Sequence, residues 1–333
     1  MSILVTGGTG YIGSHTCVEL IKAGHDVVVL DNFCNSDACI ADKIKEITGK
    51  SVKIYAGDIR DCGLLEKIFV ENRIKVVIHF AGLKSVSESC TKPLIYFDNN
   101  VNGTINLCNA MQKFAVKNLI FSSSATVYGN SSKAPYKESM QTGQVCNPYG
   151  RTKYFIEEIL KDIYESDKSW NITILRYFNP IGAHESAILG ENPRGIPNNL
   201  MPYISQVAIN KLPLLTVFGK DYDTPDGTCI RDYIHVVDLA NGHLKALEKM
   251  QNAAGGLNIY NLGTGKGYSV LELIKTFEKM SGKKVNYKIG PRREGDLPIV
   301  YADTQKAEKE LGFKAKFGIE KMCLDSWNWQ KKQ

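Results

Sequence analysis

The sequence has no CxxC pair among its nine cysteines, no HExxH or other ligand-like clustering among its six histidines, and no apolar run approaching membrane-spanning length. The first two absences argue against a disulfide framework and a metal centre, so the cysteines read as reduced structural thiols and no metal is expected. The third argues against a membrane protein. One-sided charge blocks are missing as well. The 41 Lys and Arg exceed the 35 Asp and Glu by only six, and the basic residues are scattered. Such a balance reads as a solvated surface that can receive a small anionic ligand, not as a nucleic-acid face. The strand-like run Ile3-Leu4-Val5 starts almost at the first residue. It leaves no room for a secretory leader, and a cytoplasmic location is expected.

What is present is an ordinary globular composition, 43% hydrophobic and 23% charged over 333 residues, long enough for one large α/β unit or two domains. Short apolar runs at 26–30, 52–55, 76–80, 119–121 and 172–175 read as buried parallel strands. Helix-sized segments lie between them at about 11–23, 61–72, 93–114 and 148–165. This alternation predicts an α/β fold, a Rossmann-type doubly wound parallel sheet, with ligands at the carboxyl ends of its strands. After Phe178 the regularity breaks, and Pro, Gly and Asn crowd 179–199 and 219–227, two candidate functional loops. Helices near 237–250, 269–281 and 304–311, with short strands around Ile259 and Val285, are expected to build a smaller α/β lobe on the substrate side. The domains are therefore set at 1–178, with strand and helix contributions from later segments, and 179–333.

Gly7-Gly8-Thr9-Gly10-Tyr11-Ile12-Gly13 follows the first strand and opens a helical pattern. That is the tight turn and helix N-terminus needed to hold a pyrophosphate on backbone N–H groups. Asp31 ends the second strand, where a carboxylate grips the adenosine ribose 2′-OH and repels a 2′-phosphate, so NAD is expected rather than NADP. Gly57-Asp58-Ile59 and Phe80-Ala81-Gly82 close the third and fourth strands at the same rim, Asp58 being a candidate for the adenine amino group. Near the end of the fifth strand stands Ser124, and further on Pro148-Tyr149-Gly150-Arg151-Thr152-Lys153. Pro148 suits a first helical turn, so Tyr149 and Lys153 fall at i and i+4 on one face. A phenol titrates near pH 10 and becomes a base only when nearby cations favour the phenolate. Lys153 and an oxidised nicotinamide can supply that charge and Ser124 can share the proton, which makes a base suited to alcohol oxidation.

With these residues the chain resembles the extended short-chain dehydrogenase/reductase family, in its nucleotide-sugar 4-epimerase branch. Further motifs that carry the likeness are Leu30-Asp31-Asn32, His79-Phe80-Ala81-Gly82-Leu83-Lys84, Asn99-Asn100-Val101-Asn102-Gly103-Thr104, Arg176-Tyr177-Phe178-Asn179-Pro180, Pro197-Asn198-Asn199-Leu200, Arg231-Asp232-Tyr233-Ile234-His235 and Pro291-Arg292-Arg293-Glu294-Gly295-Asp296. The resemblance implies a homodimer holding one NAD per subunit and interconverting UDP-galactose and UDP-glucose through a 4-keto sugar. Carried over residue by residue, it gives Asn32, Lys84, Asn99, Ser122 and Tyr177 to the cofactor together with Tyr11, Ile12 and Ile59. It gives Phe178, Asn179, Asn199, Leu200, Phe218, Arg231, Tyr233, Arg293 and Asp296 to the substrate, with Lys84, Ser124 and Tyr149 also touching it. The family's glucose-only members carry a bulky Tyr shortly after the last motif, and the matching position here is Val300. Room for an acetamido group would admit UDP-GalNAc and UDP-GlcNAc, unless Tyr301 or a one-residue register shift refills the space.

Two competitors share the fold. A nucleotide-sugar 4,6-dehydratase places an acidic pair directly after the strand-end Ser or Thr, where this chain has Ala125 and Thr126. A non-catalytic NAD-binding sensor usually lacks the Tyr and Lys. The stretch Gly263-Thr264-Gly265-Lys266-Gly267 imitates a phosphate loop, but Gly267 stands where Ser or Thr is required, and a turn before a helix is expected there.

Overall fold

The structure is a computed structural model that describes residues 2–130, 133–252, 255–293 and 295–333. Glu294 of the motif quoted above lies outside the described residues. In chain order the strands are β1 (Ser2–Thr6), β2 (Asp26–Asp31), β3 (Lys53–Ala56), β4 (Ile74–His79), β5 (Asn118–Ser124), β6 (Asn171–Tyr177), β7 (Asn179–Ile181), β8 (Leu215–Phe218), β9 (Ile230–His235), β10 (Gly256–Leu262), β11 (Gly267–Ser269), β12 (Tyr287–Gly290) and β13 (Ile299–Val300). Among the described residues the central sheet has the order β10-β6-β5-β4-β1-β2-β3, and every pairing in it is parallel.

Both faces of that sheet are covered, which explains why its strands read as continuous apolar runs and not as alternations. Ile3, Val5, Val27 and Val29 face a core with Cys17, Val18 and Leu20 of the helix Tyr11–Lys22 and Leu239 and Leu247 of the helix Val236–Gln251. Leu4, Val28 and Leu30 face the opposite core, with Leu65 and Ile68 of the helix Cys62–Glu71, Leu107 and Met111 of Gly103–Lys113, and Ile156 and Leu160 of Pro148–Ser166. The smaller lobe packs β7, β9, β11 and β13 in one sheet and β8 beside β12 in another. Its own core joins Met201, Ile204, Val217, Leu273, Phe277 and Met322. No helix among the described residues is long and apolar enough to cross a membrane.

Four expectations need correction. The helices expected near 237–250 and 304–311 in the smaller lobe instead cover the large sheet, with Leu239, Leu247, Ala307 and Leu311 in its core. The strand around Ile259 is not part of the smaller lobe: as β10 it pairs residue for residue with β6 and completes the large sheet. The strand expected around Val285 begins only at Tyr287, and Val285 itself belongs to the core of the smaller lobe. The single helix expected over 93–114 is three pieces, a short α-turn Pro93–Tyr96, a π-helical stretch Phe97–Asn102 and an α-helix Gly103–Lys113. Periodicity cannot report such an interruption, because widening the helix shifts side chains around it without changing the composition.

The fold depends on neutral histidines. His79 at the end of β4 lies between Thr6 Oγ1 (2.6 Å) and Thr104 Oγ1 (2.9 Å). Thr104 already donates to Asn100 O, so it accepts from His79 Nε2–H and leaves Nδ1 to accept from Thr6. His15 Nδ1 donates to Tyr11 O (2.7 Å) and His243 Nδ1 to Leu239 O (2.9 Å). Burial pushes His15 and His79 down to about 3, the Lys153 charge adding to the effect on His79, and it pushes His243 down to about 4. The unfolded chain protonates these rings near pH 6.5 and the folded one does not. Their contribution is therefore complete above pH 6.5 and is lost as pH falls toward 4. Urea denaturation at pH 7 and pH 5 is expected to show a stability loss on acidification to which each ring contributes about 2 kcal/mol.

Candidate active site

The glycine loop joins β1 to the helix Tyr11–Lys22 where the strand order reverses between β1 and β4. Gly7 has φ of +70°, and a Cβ there would lie 2.8 Å from Ala81 N. A Cβ on Gly13 would lie 2.2 Å from Gly7 O. Only glycine lets these backbones close on one another. Gly10 is the N-cap without a side-chain cap, and the first intrahelical bond is Ser14 N to Gly10 O (2.9 Å). The amides of Tyr11, Ile12 and Gly13 therefore stand ahead of the helical ladder, at the positive end of its dipole, able to bind an anion.

One cleft runs from this loop along the strand ends. Gly7, Gly10, Tyr11, Ile12, Gly13, Asp31, Asn32, Ile59, Phe80, Ala81, Gly82, Lys84, Asn99, Tyr149, Lys153 and Tyr177 all line it. Asp31 accepts from Thr9 N (3.0 Å), Phe33 N (2.9 Å) and Ser36 Oγ (2.9 Å), which fixes a carboxylate at the mouth with acceptor capacity to spare. Asp58 is turned to Arg60 and Asn32, which bind it by side-chain hydrogen bonds of 2.8 to 2.9 Å, and these hold its carboxyl at about 2. Its neighbour Ile59 reaches the cleft instead. In the π-helical stretch, Asn100 clamps the main chain of Leu83 through both amide atoms (2.8 and 3.0 Å) and donates to Thr152 Oγ1 (3.0 Å). The extra backbone width there places Asn99 in the cleft lining.

Asn147 caps the helix Pro148–Ser166 by accepting from Gly150 N (2.8 Å), with Pro148 in its first turn. Tyr149 and Lys153 project from it toward the end of β5. Burial raises the Tyr149 phenol, and a hydrogen bond with Ser124 pulls it back. Lys153 Nζ donates to Ser122 O (2.8 Å) and lies 4.8 Å from the centre of the Phe121 ring. Burial lowers it to about 8, against the supporting charge of Glu157. Ser122 thus stands behind Lys153 and is not a wall of the cleft. Its hydroxyl pairs with His243 Nε2 (3.0 Å).

The expected substrate residues gather on the lobe side. Arg231 Nη2 meets Asp296 Oδ1 at 3.4 Å, Arg293 Nη2 meets the same oxygen at 3.0 Å, and the Arg293 guanidinium lies 5.6 Å from the Phe218 ring centre. Tyr233 is buried beside Arg231. Asn179 is exposed at the start of β7. Phe178 and Val300 belong to an apolar wall with Tyr128, Tyr136 and Ala302. Asn199 and Leu200 begin the helix Leu200–Ala208.

Residues 3–263 of the chain match a family model described as the NAD dependent epimerase/dehydratase family. The chain belongs to that family. It is 57% identical over 330 residues to a UDP-glucose 4-epimerase of Bacillus subtilis (strain 168), covering 99% of this chain and 97% of that protein. It is 59% identical over 331 residues to one of Haemophilus influenzae, covering 99% and 98%. The crystal structure of UDP-glucose 4-epimerase from Bifidobacterium longum in complex with NAD+ and UDP superposes with a TM-score of 0.97 at 53% identity, covering 100% of this chain and 98% of that one.

The residues in or behind this site that sequence reasoning missed include Glu191, Arg194 and Glu157. Glu191 is buried and binds both Lys84 Nζ (3.0 Å) and Asn199 Nδ2 (2.7 Å). The only signal for it was its place in the irregular 179–199 loop. Arg194 of the same loop lines the cleft. Glu157 carries no motif at all. Its carboxylate accepts from Ser123 Oγ (2.6 Å) and from Arg176 Nε (3.0 Å) and Nη2 (2.6 Å), with side-chain exposures of 0% for Glu157 and 2% for Arg176. Removing one partner strands a buried charge. Glu157→Gln is therefore expected to cost about 3 to 5 kcal/mol of stability in urea denaturation, with part of the loss recovered when Arg176→Met is added.

Proposed function

We infer that the chain catalyses NAD-dependent 4-epimerisation of UDP-hexoses, interconverting UDP-galactose and UDP-glucose. The observation that carries this reading is that Tyr149, Lys153 and the glycine loop open onto one cleft, in a chain alike over its whole length to proteins of that activity. The donor set fits NAD: three ungated amides for a pyrophosphate and a fixed Asp31 carboxylate for ribose hydroxyls. When bound, NAD supplies a reversible hydride acceptor for C4 and, oxidised, a positive charge beside the phenol.

The protein's part is proton handling and positioning. Tyr149 Oη takes the proton of the sugar 4-OH and returns it after the 4-keto sugar has turned in the pocket and C4 has taken the hydride back on its other face, so no cofactor would be consumed. Ser124 hydrogen-bonds to the phenol and eases its ionisation. The Lys153 ammonium, held on Ser122 O, adds positive charge to the same corner. Arg231, Arg293, Asn179 and Asn199 are suited to the UDP group, the guanidinium forks matching phosphate oxygens. Ala125 and Thr126 follow Ser124 in a 3-10 turn and offer no carboxylate to expel water, which disfavours dehydration. A sensor has no need of the retained Tyr149 and Lys153.

Subunit association and location follow the same reading. Leu94 (82% exposed), Ile95 and Phe155 stand on adjoining helical segments of the large unit, an apolar surface suited to a homodimer. All nine cysteines are free, which fits the reducing cytoplasm. For sugar range, Val300 faces the wall of Tyr128, Tyr136 and Phe178. Tyr301, directly after β13, has its ring carbon 3.6 Å from where a Cβ on Gly267 would lie. What supports the wider range, UDP-GalNAc and UDP-GlcNAc included, is that Val300 stands where glucose-only members of the family carry a bulky Tyr and that Tyr301 is turned toward Gly267 instead.

Purified protein given UDP-galactose without added cofactor is expected to form UDP-glucose with no net NADH. Failure to do so would exclude the epimerase reading. Tyr149→Phe is expected to keep its NAD while turnover drops by about 10²-fold or more, measured by a coupled assay for UDP-glucose. Val300→Tyr should lose the N-acetylhexosamine reaction selectively. Activity confined to UDP-galactose and UDP-glucose in the unmutated enzyme would refute the wider range.

A further inference from the structure

The segment 188–194 lies along the cofactor cleft, and Ile188, Gly190 and Glu191 through Arg194 are part of its lining. It is fastened to both halves of the opposite wall. On the side of Asp31, Arg194 donates from Nη2 to Ser36 O (2.6 Å) and from Nη1 to Cys34 O (3.5 Å). Ser36 is itself bound to Asp31 through its hydroxyl (2.9 Å), so this fastening meets the loop that positions the ribose carboxylate. On the side of Tyr149, Glu191 binds Lys84 Nζ at 3.0 Å. Between the two, Gly190 passes under Trp329 so closely that a Cβ would lie 2.4 Å from the indole ring. Each contact is between protein groups, and the fastening side chains Arg194, exposed, and Lys84, half-exposed, belong to no core cluster.

We propose that Glu191 and Arg194 are cofactor-retention residues, which hold the 188–194 segment across the cleft and so keep one NAD in place throughout the reaction. The inference rests on the epimerase reading. That reaction oxidises C4 and later reduces it with the same cofactor, and escape of the cofactor between the two steps would strand a 4-keto sugar. A dehydrogenase that exchanges cofactor every cycle gains nothing from such a strap. Glu191 also accepts from Asn199 (2.7 Å), so the fastening on the Tyr149 side is continuous with the residue assigned to the UDP group.

The test is the rate at which NAD leaves the protein. Holoenzyme freed of unbound cofactor is mixed with an alcohol dehydrogenase and ethanol, which convert each released NAD to NADH, and release is followed for the unmutated protein, Arg194→Ala, Arg194→Lys and Glu191→Ala. Loss of a charge-assisted hydrogen bond is expected to speed release about tenfold in each alanine variant. Arg194→Lys, which keeps one donor, should fall between. Thermal melts of the NAD-free unmutated protein and the two Arg194 variants should coincide, since exposed Arg194 supports no core. Equal release from the unmutated protein and both alanine variants would overturn the retention role while leaving the epimerase reading intact. An unmutated protein that neither carries nor takes up NAD would overturn both.

Discussion

The catalytic helix is held over the large sheet through the carboxylate of Glu157, which sees no solvent. Burying one charge costs several kcal/mol unless its lone pairs are filled, and here the filling groups come from two different strands: Ser123 from β5 and Arg176 from β6. The helix that carries Glu157 carries Tyr149 two turns earlier and Lys153 one turn earlier. Satisfying that one carboxylate therefore sets the height of the catalytic helix over the strand that supplies Ser122 and Ser124. Arg176 then lies 4.9 Å from the Tyr128 ring centre, which extends the same constraint into the apolar wall that includes Phe178 and Val300.

The lobe is tied to this frame by a second buried carboxylate. Asp232 on β9 accepts from Thr264 N and Oγ1, Gly265 N and Ala302 N. Its neighbour Arg231 points into the charged cluster with Asp296. Alternation along β9 puts the structural acid and the candidate phosphate ligand on opposite sides, so one short strand both anchors the loops and aims a guanidinium. The glycine-rich turn at 263–267 is explained by this role. It wraps the Asp232 carboxylate and leads into the helix Val270–Ser281, whose capping box is formed by Ser269 and Glu272.

The two chemistries of the cleft need opposite surroundings. An anion is welcomed by unpaired amides and a helix dipole at the glycine loop. A phenol at Tyr149 is kept neutral by burial until positive charge arrives beside it. The cleft supplies both because the loop lies where the strand order reverses, while Tyr149 lies two strands along the rim. That separation comes from the order β1-β4-β5 and not from any local sequence feature.

Local chemistry made much of the fold and site legible in the sequence alone. Buried parallel strands need unbroken apolar runs, a pyrophosphate turn needs glycines where side chains would collide, and a helix opened by Pro148 places Tyr149 and Lys153 on one face. Each of these is written within a few neighbouring residues. Other features required the chain to meet itself far away. β10 belongs to the large sheet only because its edge is left open by β6, the π-helical turn only because Asn100 must reach Leu83 and Thr152, and Glu191 matters only because Lys84 and Asn199 converge on it. Sequence determines which groups are available and how a short segment bends. Tertiary structure decides which of them meet, because pairing of buried charge and completion of backbone hydrogen bonds are settled between residues that no local pattern relates.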